Sequence, residues 1–223
     1  MAKNFIYFFL LLLLPSLLCH AQEPSKFEKE VNDLVSSDSA VNRKNLILFT
    51  GSSSIRMWTD LKERYPQYNV LNRGFGGSQM SDLIYFADKL IFQYRPKQIF
   101  IYEGDNDLAS GMSPDAVLAQ AKTLLKMVRE KLPKKVKVAF LSAKPSIRRW
   151  NLKAAYEDYN AQLKAWALSE KNVTYVDVWS PLIDNAGNVR QDIFLEDNLH
   201  LNAVGYHLWS NAIEDHLSLK LKK

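Results

Sequence analysis

The chain has 223 residues, with 29 Lys and Arg against 24 Asp and Glu, a formal net charge of +5 and one cysteine. One cysteine excludes a disulfide framework and a cysteine metal site, so stability must come from an apolar core; about 200 residues beyond a leader can bury one as a single domain. The basic excess sits in Lys131, Lys134, Lys135 and Lys137 and in Lys220, Lys222 and Lys223, which read as solvated faces, and no Lys/Arg stripe interleaved with aromatics points to nucleic acid.

Residues 1–21 read as a secretory signal peptide: Lys3 gives a positive start, Phe5 to Leu18 is an apolar run broken only by Pro15 and Ser16, and Ala21 is a small residue at the cut. The run is shorter than the roughly 20 residues that span a bilayer, so no membrane span is expected after cleavage. Residues 22–223 are expected to be exported as one domain, to a periplasmic or extracellular space. Lipid anchoring through Cys19 ranks second, because Leu18 is bulky where a small residue is usual.

Past the leader, short apolar runs alternate with longer amphipathic stretches. Leu46 to Phe49 reads as a buried strand. Thr50-Gly51-Ser52-Ser53-Ser54 follows it, opening a helical pattern over Ile55 to Arg64. A serine in a tight strand-to-helix turn suits a nucleophile with an adjacent anion site. The same segment also reads as a Ser-rich helix cap or a phosphate-cradling loop.

Asn69 to Leu71 reads as the second strand, followed by Asn72-Arg73-Gly74-Phe75-Gly76-Gly77-Ser78. Its glycines permit close backbone approach to a ligand, and Gly77 can offer its N–H to an oxyanion; an ordinary glycine-rich loop is the plain alternative. A helical pattern covers Ser81 to Tyr94. The third strand, Ile99 to Tyr102, leads to Glu103-Gly104-Asp105-Asn106-Asp107, where Asn106 is either a turn residue or a side-chain donor aimed where the Ser53 and Gly77 amides point. Asp105 and Asp107 lack a second cluster with ligand spacing, so no metal is expected.

Ser113 and Pro114 start a helix that runs to Lys131 and is stopped by Pro133. Val136 to Leu141 reads as the fourth strand. After it comes Lys144-Pro145-Ser146-Ile147-Arg148-Arg149-Trp150, in which Arg148 and Trp150 are candidates to line a substrate groove, against a plain surface loop. Leu152 to Ser169 is helical and Val173 to Val178 reads as the fifth strand. Asp197-Asn198-Leu199-His200 then precedes a last helix over Ala203 to Leu217, capped by Asn202. Asp197 can orient His200 as a general base within one turn. His207 and His216 read as helix-face residues.

Strand and helix alternating five times predict a parallel sheet covered on both faces. The expected architecture is a three-layer α/β/α sandwich with a flavodoxin-like strand order. In such sheets ligands bind beyond the carboxyl ends of the strands, at the switch in strand order. Ser53, Gly77, Asn106 and the Asp197/His200 pair all fall at that edge, in separate loops.

These four blocks resemble the SGNH, or GDSL-type, hydrolase superfamily, which contributes Ser, Gly, Asn and His in this chain order. Gly51-Ser52-Ser53-Ser54 is similar to the first block, Asn72 to Gly77 to the second, Gly104-Asp105-Asn106-Asp107 to the third and Asp197-Asn198-Leu199-His200 to the last. The platelet-activating-factor acetylhydrolase-like branch is the nearest flavour. One departure is Ser52, where the usual residue is Asp. The resemblance implies a cofactor-free serine esterase, with Ser53, His200 and Asp197 catalytic and the Ser53 and Gly77 amides and the Asn106 side chain as oxyanion hole. Its implied substrate is a small acyl ester, acetyl foremost, or an acylated carbohydrate. An O-acyltransferase or a lysophospholipase is the same chemistry on other partners. A flavodoxin-like nucleotide or flavin binder, or a silent glycan-binding module, is the competing class.

Overall fold

The computed structural model describes residues 24–36, 38 and 41–218; the expected leader and Cys19 lie outside the described residues. Five strands, β1 (Ile47–Gly51), β2 (Val70–Gly74), β3 (Gln98–Tyr102), β4 (Lys137–Leu141) and β5 (Val173–Val176), form one parallel sheet in the order β2-β1-β3-β4-β5. This is the doubly wound order expected, with the switch at β1. Gly51 pairs with Gly74 on one side and Tyr102 on the other, so three strands finish level at one edge.

Alternation along each strand builds two cores. Leu48, Ile99, Ile101, Val138 and Phe140 face one layer, while Ile47, Phe49, Phe100, Tyr102, Ala139 and Leu141 face the other. The first layer comprises α1 (Glu28–Ser36), α4 (Met80–Tyr85), α5 (Ala87–Leu90), α7 (Pro114–Lys131) and α8 (Lys153–Ser169). The second comprises α2 (Ser53–Arg56), α3 (Leu61–Arg64) and α9 (Ala203–Glu214). Because both faces are covered, nearly every residue of β1 and β3 is buried, which is why these strands read as continuous apolar runs.

Several helical expectations are corrected. The single helix expected over 55–64 is two short ones, because Trp58 drops into the core against Phe49 and Trp209, each ring 5.9 Å away. The helix expected over 81–94 is broken at Phe86 and Ile91 and ends in a 3₁₀ turn, Phe92–Tyr94. Leu90, Ile91 and Phe92 are all buried. One straight helix, turning about 100° per residue, cannot aim three consecutive side chains at one core. The segment after β3 is a short helix, α6 (Asp105–Ala109), with the Asp107 carboxylate accepting the Gly104 N–H at 3.0 Å. β5 stops at Val176 because the Asp177 side chain pulls the Trp179 and Ser180 N–H groups into a turn. The last helix ends at Glu214 rather than Leu217. Helix α1 lies outside all the periodic segments expected from sequence.

The start of α7 is as expected: Pro114 is its first residue and the Ser113 hydroxyl accepts the Ala116 N–H. Asn202 caps α9 through the Val204 and Gly205 N–H groups. No described helix is long and apolar enough to cross a membrane.

Candidate active site

Strand β1 ends on Gly51 at φ +127°, where a Cβ would lie 2.0 Å from the Tyr102 carbonyl oxygen. Only glycine lets the chain turn there. The Ser52 N–H donates to that same carbonyl at 3.0 Å, and α2 begins at once with Ser53 as its first residue. The Ser53 side chain is therefore carried on a tight turn at the C-terminal edge of the sheet, with 9 % of the residue exposed.

On the opposite side of the edge, Asn198 adopts a left-handed conformation, φ +57°. The turn closes because Asp197 Oδ1 accepts the Leu199 and His200 N–H groups, both at 2.9 Å. Its other oxygen lies 2.5 Å from His200 Nδ1. With Nδ1–H donating its hydrogen bond to the Asp197 carboxylate, Nε2 is left as an acceptor, and it lies 2.9 Å from the Ser53 hydroxyl. Burial raises the Asp197 carboxyl, but the hydrogen bonds from His200 and Leu199 outweigh it and bring the pKa down to about 2. Asp197 is thus a carboxylate throughout the neutral range.

Gly77 stands at φ +57° in open space, and among the described residues neither its N–H nor that of Ser53 meets a protein acceptor. The Asn106 side-chain nitrogen donates to Ser52 Oγ at 2.7 Å and to the Ser78 carbonyl at 2.8 Å. Ser52, the residue that departs from the usual Asp, therefore links the serine turn to Asn106. The glycine loop is held from outside as well. Glu30 of α1 accepts the Gly76 N–H at 3.0 Å and sits 3.7 Å from Arg56 of α2, while the Phe27 ring meets Phe75 edge-on at 5.2 Å.

Four buried carboxyls lie behind this edge, and their environments divide them. Burial, reinforced by the neighbouring Asp107 charge, pushes Glu103 well above the usual carboxylate range, and its Oε1 accepts the Ser78 hydroxyl at 2.7 Å. Asp107 is pushed up to about 6 and Asp82 is also raised, in both cases chiefly by burial. Burial acts the same way on Asp105, yet Lys144, Arg149 and the Tyr156 hydroxyl more than offset it and hold that carboxyl well below its usual range.

The loop after β4 is tied to both sides of the site. Arg148 is exposed, and its backbone N–H donates to the Asn198 carbonyl at 3.1 Å. Trp150 is half-buried and stacks on Trp179, with centroids 6.0 Å apart. The side chain that reaches inward is Arg149, which donates to Asn106 Oδ1 at 3.0 Å and to Asp105 Oδ1 at 2.5 Å. Two adjacent arginines in an irregular loop look alike in sequence, and the buried Lys144 that shares Asp105 with Arg149 is known only from the structure. His207 is exposed on α9, and the His216 carbonyl accepts from Gln98, at the far end of the sheet. Among the described residues no group of three or more His, Cys, Asp or Glu is arranged to hold a metal ion.

In sequence, the pattern described as the GDSL-like Lipase/Acylhydrolase family matches residues 45–208. No curated protein matches the chain at a significant level. Among solved structures, the chain is similar to a protein of Streptococcus pneumonia provisionally described as a platelet activating factor, with 22% identity, a TM-score of 0.76, and 88% of this chain and 93% of that one covered. It is similar to a GDSL-like lipase from Bacteroides thetaiotaomicron, with 17% identity, a TM-score of 0.69, and coverage of 87% and 96%. An acetyl xylan esterase from Geobacillus stearothermophilus gives 15% identity, a TM-score of 0.65, and coverage of 80% and 97%. At these identities the structures carry the fold.

Proposed function

The chain belongs to the GDSL-like lipase/acylhydrolase family and is an ester-hydrolysing enzyme, and from that premise we propose that it is an exported serine esterase acting on small acyl esters through Ser53, His200 and Asp197. The observation that carries this reading is the Ser53 hydroxyl 2.9 Å from His200 Nε2, across 147 residues of chain, with Asp197 on the other ring nitrogen. Nucleophile, base and orienting acid in hydrogen-bonded series are what acyl transfer to a serine requires.

In this mechanism His200 Nε2 takes the Ser53 proton as Oγ attacks the acyl carbonyl. The carbonyl oxygen becomes an oxyanion, held by the Ser53 and Gly77 N–H groups and by Asn106 Nδ2, which turns to it the hydrogen that otherwise rests on Ser52 Oγ. Collapse breaks the bond to the alcohol oxygen, which leaves with the proton from His200. Water then gives its proton to His200 and attacks the acyl-serine, and the carboxylic acid departs as the proton returns to Ser53 Oγ. Asp197 stabilises the imidazolium formed in each half. All of this uses the chain's own groups, so no cofactor is invoked.

Acetyl esters are the first substrates proposed, and an acetylated carbohydrate the first natural class, because the site is carried on a fold shared with an acetyl xylan esterase and the chain opens with an expected export leader, residues 1–21. Arg148 and Trp150, in the loop bound to Asn198 and Asn106, are proposed to line the alcohol side. Ser53→Ala should abolish p-nitrophenyl acetate turnover and fluorophosphonate labelling while the protein stays folded. Retained turnover in that variant would remove Ser53 as nucleophile. Comparing acetyl, butyryl and octanoyl esters beside acetylated xylan tests the acyl preference; faster turnover of octanoyl ester overturns the acetyl assignment.

A further inference from the structure

We propose that Arg149 is a positioning residue of the oxyanion hole, acting through the Asn106 carboxamide. The inference rests on the reading of Asn106 as an oxyanion donor. A carboxamide has two ends of nearly equal size, and only the nitrogen end can hold an oxyanion. Ser52 Oγ can accept or donate, so it tolerates either orientation. The Ser78 carbonyl and Arg149 do not: the carbonyl only accepts and a guanidinium only donates. Arg149 Nη2 on Oδ1 at 3.0 Å makes the reversed amide meet N–H with N–H. It also draws electron density toward Oδ1, making the Nδ2 hydrogens stronger donors.

Arg149 is itself held in a built framework. Its Nη1 donates to Asp105 Oδ1 at 2.5 Å, and the same oxygen accepts the Tyr156 hydroxyl at 2.6 Å. Asp105 Oδ2 accepts the Tyr102 hydroxyl at 2.8 Å and lies 3.3 Å from the Lys144 ammonium, whose side chain is fully buried. Lys144 and Arg149 thus share the one Asp105 carboxylate, which fixes the guanidinium from the side away from Asn106. The arrangement also explains why a lysine is buried at 0 % exposure beside an arginine: the shared carboxylate fixes both, and one of them is turned to the amide.

The test is a mutant cycle read in p-nitrophenyl acetate kinetics, with wild type, Arg149→Ala, Arg149→Lys, Asn106→Ala and the double variant Arg149→Ala/Asn106→Ala. Removing one oxyanion donor lowers kcat by roughly 100- to 1000-fold, and loosening that donor should lower it on the order of 30-fold with KM within about twofold. Because Arg149 acts through Asn106, Arg149→Ala should add nothing on the Asn106→Ala background, and free guanidinium should restore part of the rate of Arg149→Ala alone. Arg149→Lys, which can satisfy Asp105 or Asn106 but not both, should fall between, and it keeps the test alive if the alanine variant does not fold. A purely structural ion pair would give the same fold loss on both backgrounds and no rescue, which overturns the proposal, as does a kcat within about twofold of wild type. A wild-type rate in Asn106→Ala would remove the oxyanion reading itself; an impaired Asn106→Ala beside unimpaired Arg149 variants would remove only this inference.

Discussion

The Tyr206 hydroxyl donates to the Ser54 carbonyl at 2.8 Å, joining positions 152 residues apart. Ser54 follows the proposed nucleophile and Tyr206 lies in α9, just after the turn that carries His200. The bond therefore ties together the two chain segments whose meeting makes the site. Its surroundings are rigid, since the Tyr206 ring stacks on Trp58 at 5.4 Å and Trp58 packs on Phe49 of β1.

Tyr206→Phe keeps that packing and removes only the hydroxyl. Stability should fall by about 1 kcal/mol, the net worth of one hydrogen bond, and kcat by a few-fold as the Ser53 to His200 distance loosens. Urea denaturation and p-nitrophenyl acetate kinetics on one preparation check both. An unchanged kcat would separate this bond from the alignment of the site.

Asp197→Asn should leave the turn folded and lower kcat by roughly three to four orders of magnitude, because the imidazole loses both its tautomer preference and its counter-charge. A pH effect accompanies it. The hydrogen bonds from His200 and Leu199 outweigh burial and bring Asp197 down from the ordinary 3.8 to about 2 in the folded protein. A depressed carboxyl contributes stability that is present above the unfolded pKa and lost as pH falls through the folded one. Wild type should therefore lose melting temperature between about pH 4 and 2 more steeply than Asp197→Asn. Parallel curves would contradict the assignment.

Asp107 has the opposite sign. Burial raises it from 3.8 to about 6, so its folded form holds the proton more tightly than the unfolded form. Its contribution is fully present below the unfolded pKa and is lost as pH rises through about 6. Asp107 also accepts the Met80 and Gly104 N–H groups, both at 3.0 Å. Asp107→Asn should lower stability overall, since an amide offers one acceptor oxygen where two are used, and flatten the decline between about pH 4 and 6. Melting curves across that window decide it; an unchanged slope would point to Glu103 or Asp82 instead.

Glu30→Ala probes the contact made by α1, which lies ahead of the part of the chain matched by the family. It leaves the Gly76 N–H without its acceptor, one residue from Gly77. Turnover should fall several-fold while melting temperature changes little, because Phe27 and Val31 still anchor the helix. Glu30→Gln should recover most of the loss by supplying one acceptor oxygen. Equal damage in both variants would mean that the charge opposite Arg56 matters, not the bond to Gly76.

Strand order and the arrival of Ser53, Gly77, Asn106 and Asp197/His200 after the strands at one edge were legible from sequence, though Ser53 and Asn106 stand in short helices and not in loops. Buried parallel strands announce themselves as short apolar runs, and the turn chemistry of Gly51 and Asn202 is local. Helix continuity was less legible. Leu90, Ile91 and Phe92 fit a helical pattern until the core that surrounds them is known. Arg148 and Arg149 could not be ranked at all, since an irregular loop has no period to give side-chain direction.

Residue type and spacing along the chain thus decide which groups arrive at the edge of the sheet, because strands and tight turns are set by neighbours only a few residues away. How those groups meet is decided by folding alone. Ser53 to His200, Asn106 to Arg149, Glu30 to Gly76 and Tyr206 to Ser54 each join segments more than 40 residues apart, and such contacts depend on how whole layers pack on the sheet.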